Sequence, residues 1–86
     1  MLRNAEYFGE QDLALVFIAK KLKQAKQLEE MLTREGFEYL VEADTYRGGV
    51  IFVTERVGAF FYVTPEDERR CRELLGTNGY RPYTTD

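Results

Sequence analysis

The chain has 86 residues, a length that folds as one domain with a small hydrophobic core. Its 12 basic and 15 acidic residues leave a net charge of -3, which argues against nucleic acid as the main partner because nucleic-acid binders usually carry a basic excess. One cysteine and no histidine exclude an internal disulfide, a multi-cysteine metal site and catalysis by Ser–His or Cys–His pairs.

The N-terminal stretch MLRNAEYFGEQD lacks the apolar segment of a signal peptide. No apolar run elsewhere approaches the length that crosses a membrane. We therefore expect a cytoplasmic protein without membrane contact. Residues 1–11 are expected to form an N-terminal arm, residues 12–80 the folded domain and residues 81–86 a C-terminal tail. The tail, RPYTTD, is expected either to add a short edge strand or to stay loose.

The first half of the domain predicts a strand followed by a helix. An uninterrupted apolar run, LALVFI at Leu13–Ile18, is typical of a central strand. Apolar residues then recur at spacings of three and four over Leu22–Glu35, which predicts an amphipathic helix. Gly36 can end this helix in the left-handed conformation and let Phe37 fold back onto Leu32.

The middle of the chain alternates apolar and turn-forming segments. The pattern predicts a strand at Tyr39–Tyr46, a tight turn at RGG (47–49), a strand at Val50–Thr54, a turn at ERVG (55–58) and a strand at Ala59–Val63. The same residues also allow one long bent strand over 50–63, and both alternatives stay open at this point.

The motif TPED predicts the start of a second helix. Thr64 is expected as the N-cap, Pro65 at the first helical position and Asp67 in a capping box. The segments LEEMLTREGF and CRELLGTNGY align without a gap, and each follows an apolar strand. Two strand–helix units joined by a hairpin predict an α+β fold of the ferredoxin-like split βαβ type, with two helices on one face of an antiparallel sheet.

Alternation along the predicted strands sorts their side chains between the two faces of the sheet. The helix side is expected to take Ala14, Val16, Ile18, Ile51, Val53, Phe61 and Val63. The other face is left open by two helices, and an apolar patch of that kind normally marks a binding surface. The expected interface or ligand face consists of Leu15, Phe17, Phe52, Phe60 and Tyr62. The N-terminal arm, with Leu2, Tyr7 and Phe8, is the main competitor for covering it.

Two segments carry a resemblance to a known family. QAKQLEEMLTREGF at 24–37 and FYVTPEDERRCRELL at 61–75 make the core, about Leu13–Tyr80, similar to the prokaryotic signal-transducing protein family. This family of unknown function has a ferredoxin-like fold related to the nitrogen-regulatory PII proteins. The chain departs from it in the aromatic-rich VIFVTERVGAFF and in the N-terminal extension. The resemblance implies a bacterial regulatory or interaction module without a known ligand, and RGG is too short for the long ligand-binding loop of PII proteins.

A few polar residues are candidate sites. Possible anion contacts are Lys20, Lys21, Arg47 and Arg56. No glycine-rich phosphate loop accompanies them, so a solvated helix face and a turn are the simpler interpretation. Glu42 and Asp44 share one side of a strand, where they more simply keep an edge strand soluble. Cys71, although flanked by arginines, lies on the apolar stripe of the second helix and is expected to be buried and inert.

An RNA-binding alternative follows from the open-face aromatics. VFI at 16–18 matches the start of an RNA-recognition-motif signature, with Phe17 in the base-stacking place. Around RVGAFFYV, however, only Arg56, Ala59 and Phe60 fit the second signature. Single-stranded RNA binding on the same face is therefore the second hypothesis.

The leading hypothesis is a non-enzymatic module that self-associates as a homodimer through its open sheet face. A protein partner or a small-molecule effector is possible, and no catalytic motif, metal site or cofactor is expected. Burial of the aromatic residues between two copies would stabilise so small a domain.

Overall fold

The computed structural model describes residues 1–48 and 54–84. The two long helices and the strands before them lie where they are predicted, whereas the short helix in the N-terminal arm is not predicted. The elements are α1 (Ala5–Phe8), β1 (Ala14–Ala19), α2 (Leu22–Arg34), β2 (Tyr39–Gly48), β3 (Thr54–Val63) and α3 (Glu68–Thr77). The fold is α+β, with one three-stranded antiparallel sheet in the order β1-β3-β2. Within the described residues, no helix is long and apolar enough to cross a membrane.

Both long helices end in the same way, as the aligned repeat predicts. Gly36 and Gly79 adopt left-handed conformations with φ of 82° and 83°. The amide of Phe37 donates to the carbonyl of Leu32 at 3.0 Å, and the amide of Tyr80 makes the equivalent bond to α3 at 2.9 Å. These are Schellman motifs, in which the residue after glycine returns to the helix it has just left. The predicted ends of both helices are confirmed.

The start of α3 differs from the prediction. Thr64 is not an N-cap, because its carbonyl accepts a bond from the amide of Asp67 at 3.0 Å and closes a turn over these residues. The helix begins only at Glu68. The carboxylate of Asp67 lies 3.4 Å from the guanidinium of Arg70 and makes no capping bond. The TPED motif therefore forms a turn leading into the helix, and the predicted capping box is wrong.

The hydrophobic core lies between the sheet and the two long helices. Tyr39 is fully within it, with its hydroxyl bonded to Thr33 Oγ1 at 2.9 Å and to the carbonyl of Glu29 at 3.0 Å. This bonding satisfies a polar group that burial would otherwise leave without water. The core consists of Val16, Phe17, Ala19, Ala25, Leu28, Met31, Leu32, Phe37, Tyr39, Phe61, Val63, Cys71 and Leu75.

The strand β3 runs without interruption from Thr54 to Val63. The segment ERVG, predicted as a turn, is paired with β2 along its length: Glu55 lies opposite Arg47, and Gly58 lies opposite Asp44. Arg47 and Gly48 likewise belong to β2 rather than to a tight turn. The predicted turn at ERVG is therefore wrong and the alternative of one long strand agrees with the structure over 54–63, because cross-strand pairing overrides the local preference of glycine and charged residues. Gly49, the last residue of the predicted RGG turn, lies outside the described residues. The predicted strand Val50–Thr54 lies outside the described residues except for Thr54.

The register of β1 against β3 changes at Val16. Leu15 lies opposite Tyr62, whereas Phe17 lies opposite Phe61. Two residues of β3 therefore face three of β1, which is the arrangement of a β-bulge. Because side chains alternate with a period of two, one extra residue exchanges the two faces for all that follows.

This bulge corrects the predicted sorting of β1. Phe17 belongs with Phe61 to the core under the helices, so its predicted place on the open face is wrong. Ile18 lies opposite Phe60 and shares the open face with it, so its predicted place on the helix side is also wrong.

The N-terminal arm adds to the edge of the sheet formed by β2. Leu2 forms a parallel bridge with Tyr39, and the amide of Arg3 donates to the Tyr39 carbonyl at 2.8 Å. Arg3 Nε also lies 2.6 Å from Glu38 Oε2. That pair raises the pKa of Arg3 and lowers the pKa of Glu38, chiefly through their hydrogen bond. These contacts lead the chain into α1, whose Phe8 is buried.

The C-terminal tail lies along the opposite edge, formed by β1. The amide of Tyr83 donates to the carbonyl of Val16 at 2.7 Å. Arg72 of α3 donates to the Leu15 carbonyl at 3.2 Å and also to the Tyr83 carbonyl, while its Nε pairs with Glu68 at 3.0 Å. Arg72 thus connects the tail, the edge strand β1 and α3 by hydrogen bonds and an ion pair.

Candidate functional site

The face of the sheet opposite α2 and α3 is the candidate functional surface. Cross-strand pairing places side chains there in rows, since residues directly opposite each other share a face. We use the term open face for Leu15, Ile18, Leu40, Glu42, Asp44, Tyr46, Arg56, Gly58, Phe60 and Tyr62.

The N-terminal arm covers one end of the open face. Phe8 of α1 is only 4% exposed, and it shares a cleft with Leu13, Leu40 and Tyr62. Leu40 is buried although neither α2 nor α3 lies over its side of the sheet. The N-terminal arm therefore covers part of the open face, as the sequence allowed, but only at the end of the sheet near Tyr62.

At the other end, a groove of about 590 Å³ separates the sheet from the C-terminal tail. We refer to it as the basic groove. Its lining residues are Phe17, Ile18, Lys20, Thr45, Tyr46, Arg47, Phe60, Arg81, Pro82, Tyr83 and Thr84. All three charged residues in this lining are basic, although the chain as a whole is acidic.

A glycine shapes the sheet beside the groove. A Cβ atom at Gly58 would lie 3.0 Å from Ile18 Cγ2 and 3.1 Å from Tyr46 Cε1. Both distances are shorter than ordinary carbon–carbon contacts, so a larger residue would push these two side chains apart. Gly58 therefore lets Ile18 and Tyr46 approach each other over the central strand.

The predicted anion contacts are only partly brought together. Lys20 and Arg47 both line the basic groove, and Lys20 Nζ lies 5.2 Å from the centroid of the Tyr46 ring. Arg56 lies opposite Tyr46 on the open face. Lys21 is separate, because it lines a different cavity beside the start of α2.

One basic residue of the groove was missed from the sequence. Arg81 follows α3 in the tail, and the expectation of either an edge strand or a loose tail does not identify it as a groove residue. The only available signal is the run RPY, which combines a cation with an aromatic ring.

The predicted interface residues divide in a similar way. Leu15, Phe60 and Tyr62 lie on the open face, whereas Phe17 lies under the helices and Phe52 lies outside the described residues. Phe60 is only 7% exposed, so most of its surface is already covered within one chain. Leu15 and Tyr62 are half-buried and keep surface available.

The two carboxylates on β2 lie on the open face, on an edge strand. Glu42 and Asp44 are both exposed, as expected for residues that keep such a strand soluble. Burial raises the pKa of the nearby Tyr62 hydroxyl, and these carboxylates raise it further. Within the described residues, no group of three acidic or cysteine side chains is placed to hold a metal ion.

The thiol of Cys71 is fully buried in the core. Burial raises its pKa to about 11, Asp67 adds to the shift, and the neighbouring Arg70 and Arg72 oppose it. The thiol of a cysteine in an unfolded chain has a pKa of about 8.5. Because the folded chain holds this proton more tightly, the free energy of unfolding falls as the pH rises from about 8.5 to about 11, and below that window the contribution is fully present.

We expect the folded chain to react with a thiol reagent at pH 8 more than about 100-fold more slowly than the chain unfolded in urea. The reason is that the reactive thiolate is rare and inaccessible in the folded state. Absorbance of the released chromophore measures both rates on the same protein. Equal rates in the two states would show that Cys71 is accessible.

A scan against models of protein families and searches of curated proteins and solved structures found no match to this chain.

Proposed function

We propose that this chain is a non-enzymatic regulatory or interaction module of ferredoxin-like split βαβ fold that self-associates through its open face. In support of the fold, β1 and β2 both pair antiparallel with β3, so they run parallel to each other on its two sides and are joined through α2. The tail runs along β1, at the edge where a fourth strand would extend the sheet.

The observation that carries the proposal is the half-covered apolar row on the open face. Leu15, Ile18 and Tyr62 are half-buried around Phe60, and neither long helix lies over them. Tyr62 borders the arm, and Ile18 and Phe60 border the tail, but neither segment covers these side chains fully, and a partner would cover the rest. A two-fold interface brings the same row of residues together from both copies and removes that apolar surface from water.

A second apolar surface offers a competing route to self-association. Leu22 is 76% exposed and Val57 is 68% exposed, and both line a cavity of about 310 Å³ between α2 and the sheet. This cavity lies on the helix side of β3, since Val57 alternates with Gly58 along that strand. Two substitutions can therefore separate the two surfaces.

We expect Leu15→Asp to convert a dimer to a monomer, because it places a charge within the proposed interface. The matched substitution Val57→Asp should leave the dimer intact. Both masses are measured by light scattering at the same protein concentration. Phe60→Asp is less suitable, since Phe60 is almost buried in one chain and a charge there weakens folding itself.

The opposite outcome would overturn the choice of surface. If Val57→Asp dissociates the protein and Leu15→Asp does not, self-association occurs on the helix side of the hairpin. Circular dichroism of both variants establishes that a change in mass is not a consequence of unfolding.

RNA binding loses its main support in the fold. The RNA hypothesis needs Phe17 as an exposed base-stacking residue, but Phe17 is only 7% exposed and its ring packs edge-on against Tyr80 at a centroid distance of 5.5 Å. Self-association is therefore the better-supported use of this surface.

A further inference from the structure

The basic groove has a charge pattern that self-association does not explain. Lys20, Arg47 and Arg81 come from three separate parts of the chain and line one groove. No ion pair among the described residues involves any of them. By contrast, Arg3 and Arg72 are held by carboxylates. Glu55 lies opposite Arg47 in the hairpin, so the electrostatic cost falls chiefly on bringing Lys20 and Arg81 together, and an anion between them would remove it.

Aromatic side chains also line the basic groove. Tyr46 and Tyr83 are half-buried in its lining, and Phe60 is buried there. Aromatic rings in such a position stack on planar groups, and a nearby cation such as Lys20 strengthens the preference for an anionic ligand. The volume of about 590 Å³ falls within the range of pockets that hold small organic molecules, about 300–1,000 Å³.

The neighbouring carboxylates limit the size of the anion. Glu42 and Asp44 lie on the same open face as Tyr46 but do not line the groove. A long polyanion that continued from the groove across the sheet would meet both of them and be repelled. The charge pattern therefore favours a ligand with its charge at one place, between Lys20 and Arg81, over a nucleic-acid strand.

We infer that the basic groove binds a small organic anion that carries a planar ring, such as a nucleoside monophosphate or an aromatic carboxylate. The cations hold the anionic group, and the rings of Tyr46 and Tyr83 contact the planar part. The groove is formed within one chain, but Ile18 and Phe60 of its lining also belong to the proposed interface, so a ligand and a second copy would compete for this part of the open face.

The test is a titration followed by two-dimensional amide NMR, with adenosine monophosphate and salicylate as the two anionic probes. Adenosine and inorganic phosphate serve as half-probes, one with the ring alone and one with the charge alone. At least one anionic probe should shift amide signals around Lys20, Tyr46 and Tyr83, and it should bind more tightly than either half-probe. Which of the two binds distinguishes a phosphate source from a carboxylate source.

Charge removal then locates the binding. The double variant Lys20→Gln/Arg81→Gln should weaken binding at least about tenfold. The control Lys23→Gln/Lys26→Gln removes the same charge from exposed positions of α2 and should leave the affinity unchanged. The inference is overturned if neither anionic probe shifts these signals at millimolar concentration, or if both double variants lose affinity equally. It is also overturned if adenosine binds as tightly as its monophosphate and salicylate does not bind.

Discussion

Replacing Phe61 by alanine should lower the free energy of unfolding by about 3–5 kcal/mol, the range for deleting a buried aromatic ring. Phe61 lies near the C-terminal end of the central strand β3 with 0% exposure, opposite Val41 and Phe17. Its ring stacks on Tyr39 at a centroid distance of 6.1 Å. A small domain typically has only about 5–15 kcal/mol of stability. The variant should therefore be partly unfolded at room temperature, as measured by urea denaturation followed by circular dichroism.

A matched control lies on the same strand and the same face. Val57 alternates in step with Phe61 but is largely exposed, beyond the reach of the core. Val57→Ala should change the free energy of unfolding by less than about 0.5 kcal/mol. If both variants lose a similar free energy of unfolding, the claim that Phe61 is buried and Val57 is exposed is contradicted.

Removing the ring of Phe8 should lower the free energy of unfolding by about 2–3 kcal/mol. This loss is smaller than the range of about 3–5 kcal/mol for a buried aromatic residue, because the short arm can partly collapse onto the sheet. Phe8 is the side chain through which the arm covers Leu40 and its neighbours. Urea denaturation of Phe8→Ala measures this contribution.

The adjacent residue provides the control for the arm. Tyr7 is 53% exposed and contacts Arg3, whose guanidinium carbon lies 4.4 Å from the ring centroid. Tyr7→Ala should therefore cost less than about 1 kcal/mol. If Phe8→Ala costs no more than Tyr7→Ala, the arm does not cover the open face in solution.

The parts of the fold that could be predicted are those that local residues determine. The Gly36 and Gly79 helix ends follow from the conformational freedom of glycine at a positive φ and an apolar residue directly after it. The strand β1 follows from its uninterrupted apolar run, and the apolar stripe of α2 follows from the helical spacing of its apolar residues. These features need no knowledge of which strand pairs with which.

The features that could not be predicted depend on pairing between distant segments. The bulge at Val16 has no local marker, yet it decides that Phe17 is core and Ile18 is on the open face. ERVG has the composition of a turn, but ten residues of β2 are available to pair with β3. Both errors arise because a register between strands is set by tertiary contacts.

The candidate site likewise combines residues that the sequence identifies with contacts between distant segments that it does not. Lys20 and Arg47 could be identified as cations near strand ends, but their shared groove requires the return of the tail to β1. That return depends on Arg72, which holds the carbonyls of Leu15 and Tyr83 from the neighbouring helix. A bond between residues so far apart in the chain leaves no pattern in the sequence.

Self-association through the open face is tested most directly by the mass of the unmodified chain in solution. Light scattering over a dilution series, combined with urea denaturation at each concentration, links the mass to stability. We predict a mass of twice 10.1 kDa at micromolar concentration and a free energy of unfolding that falls on dilution. A mass of 10.1 kDa throughout, with a stability that does not depend on concentration, would contradict it.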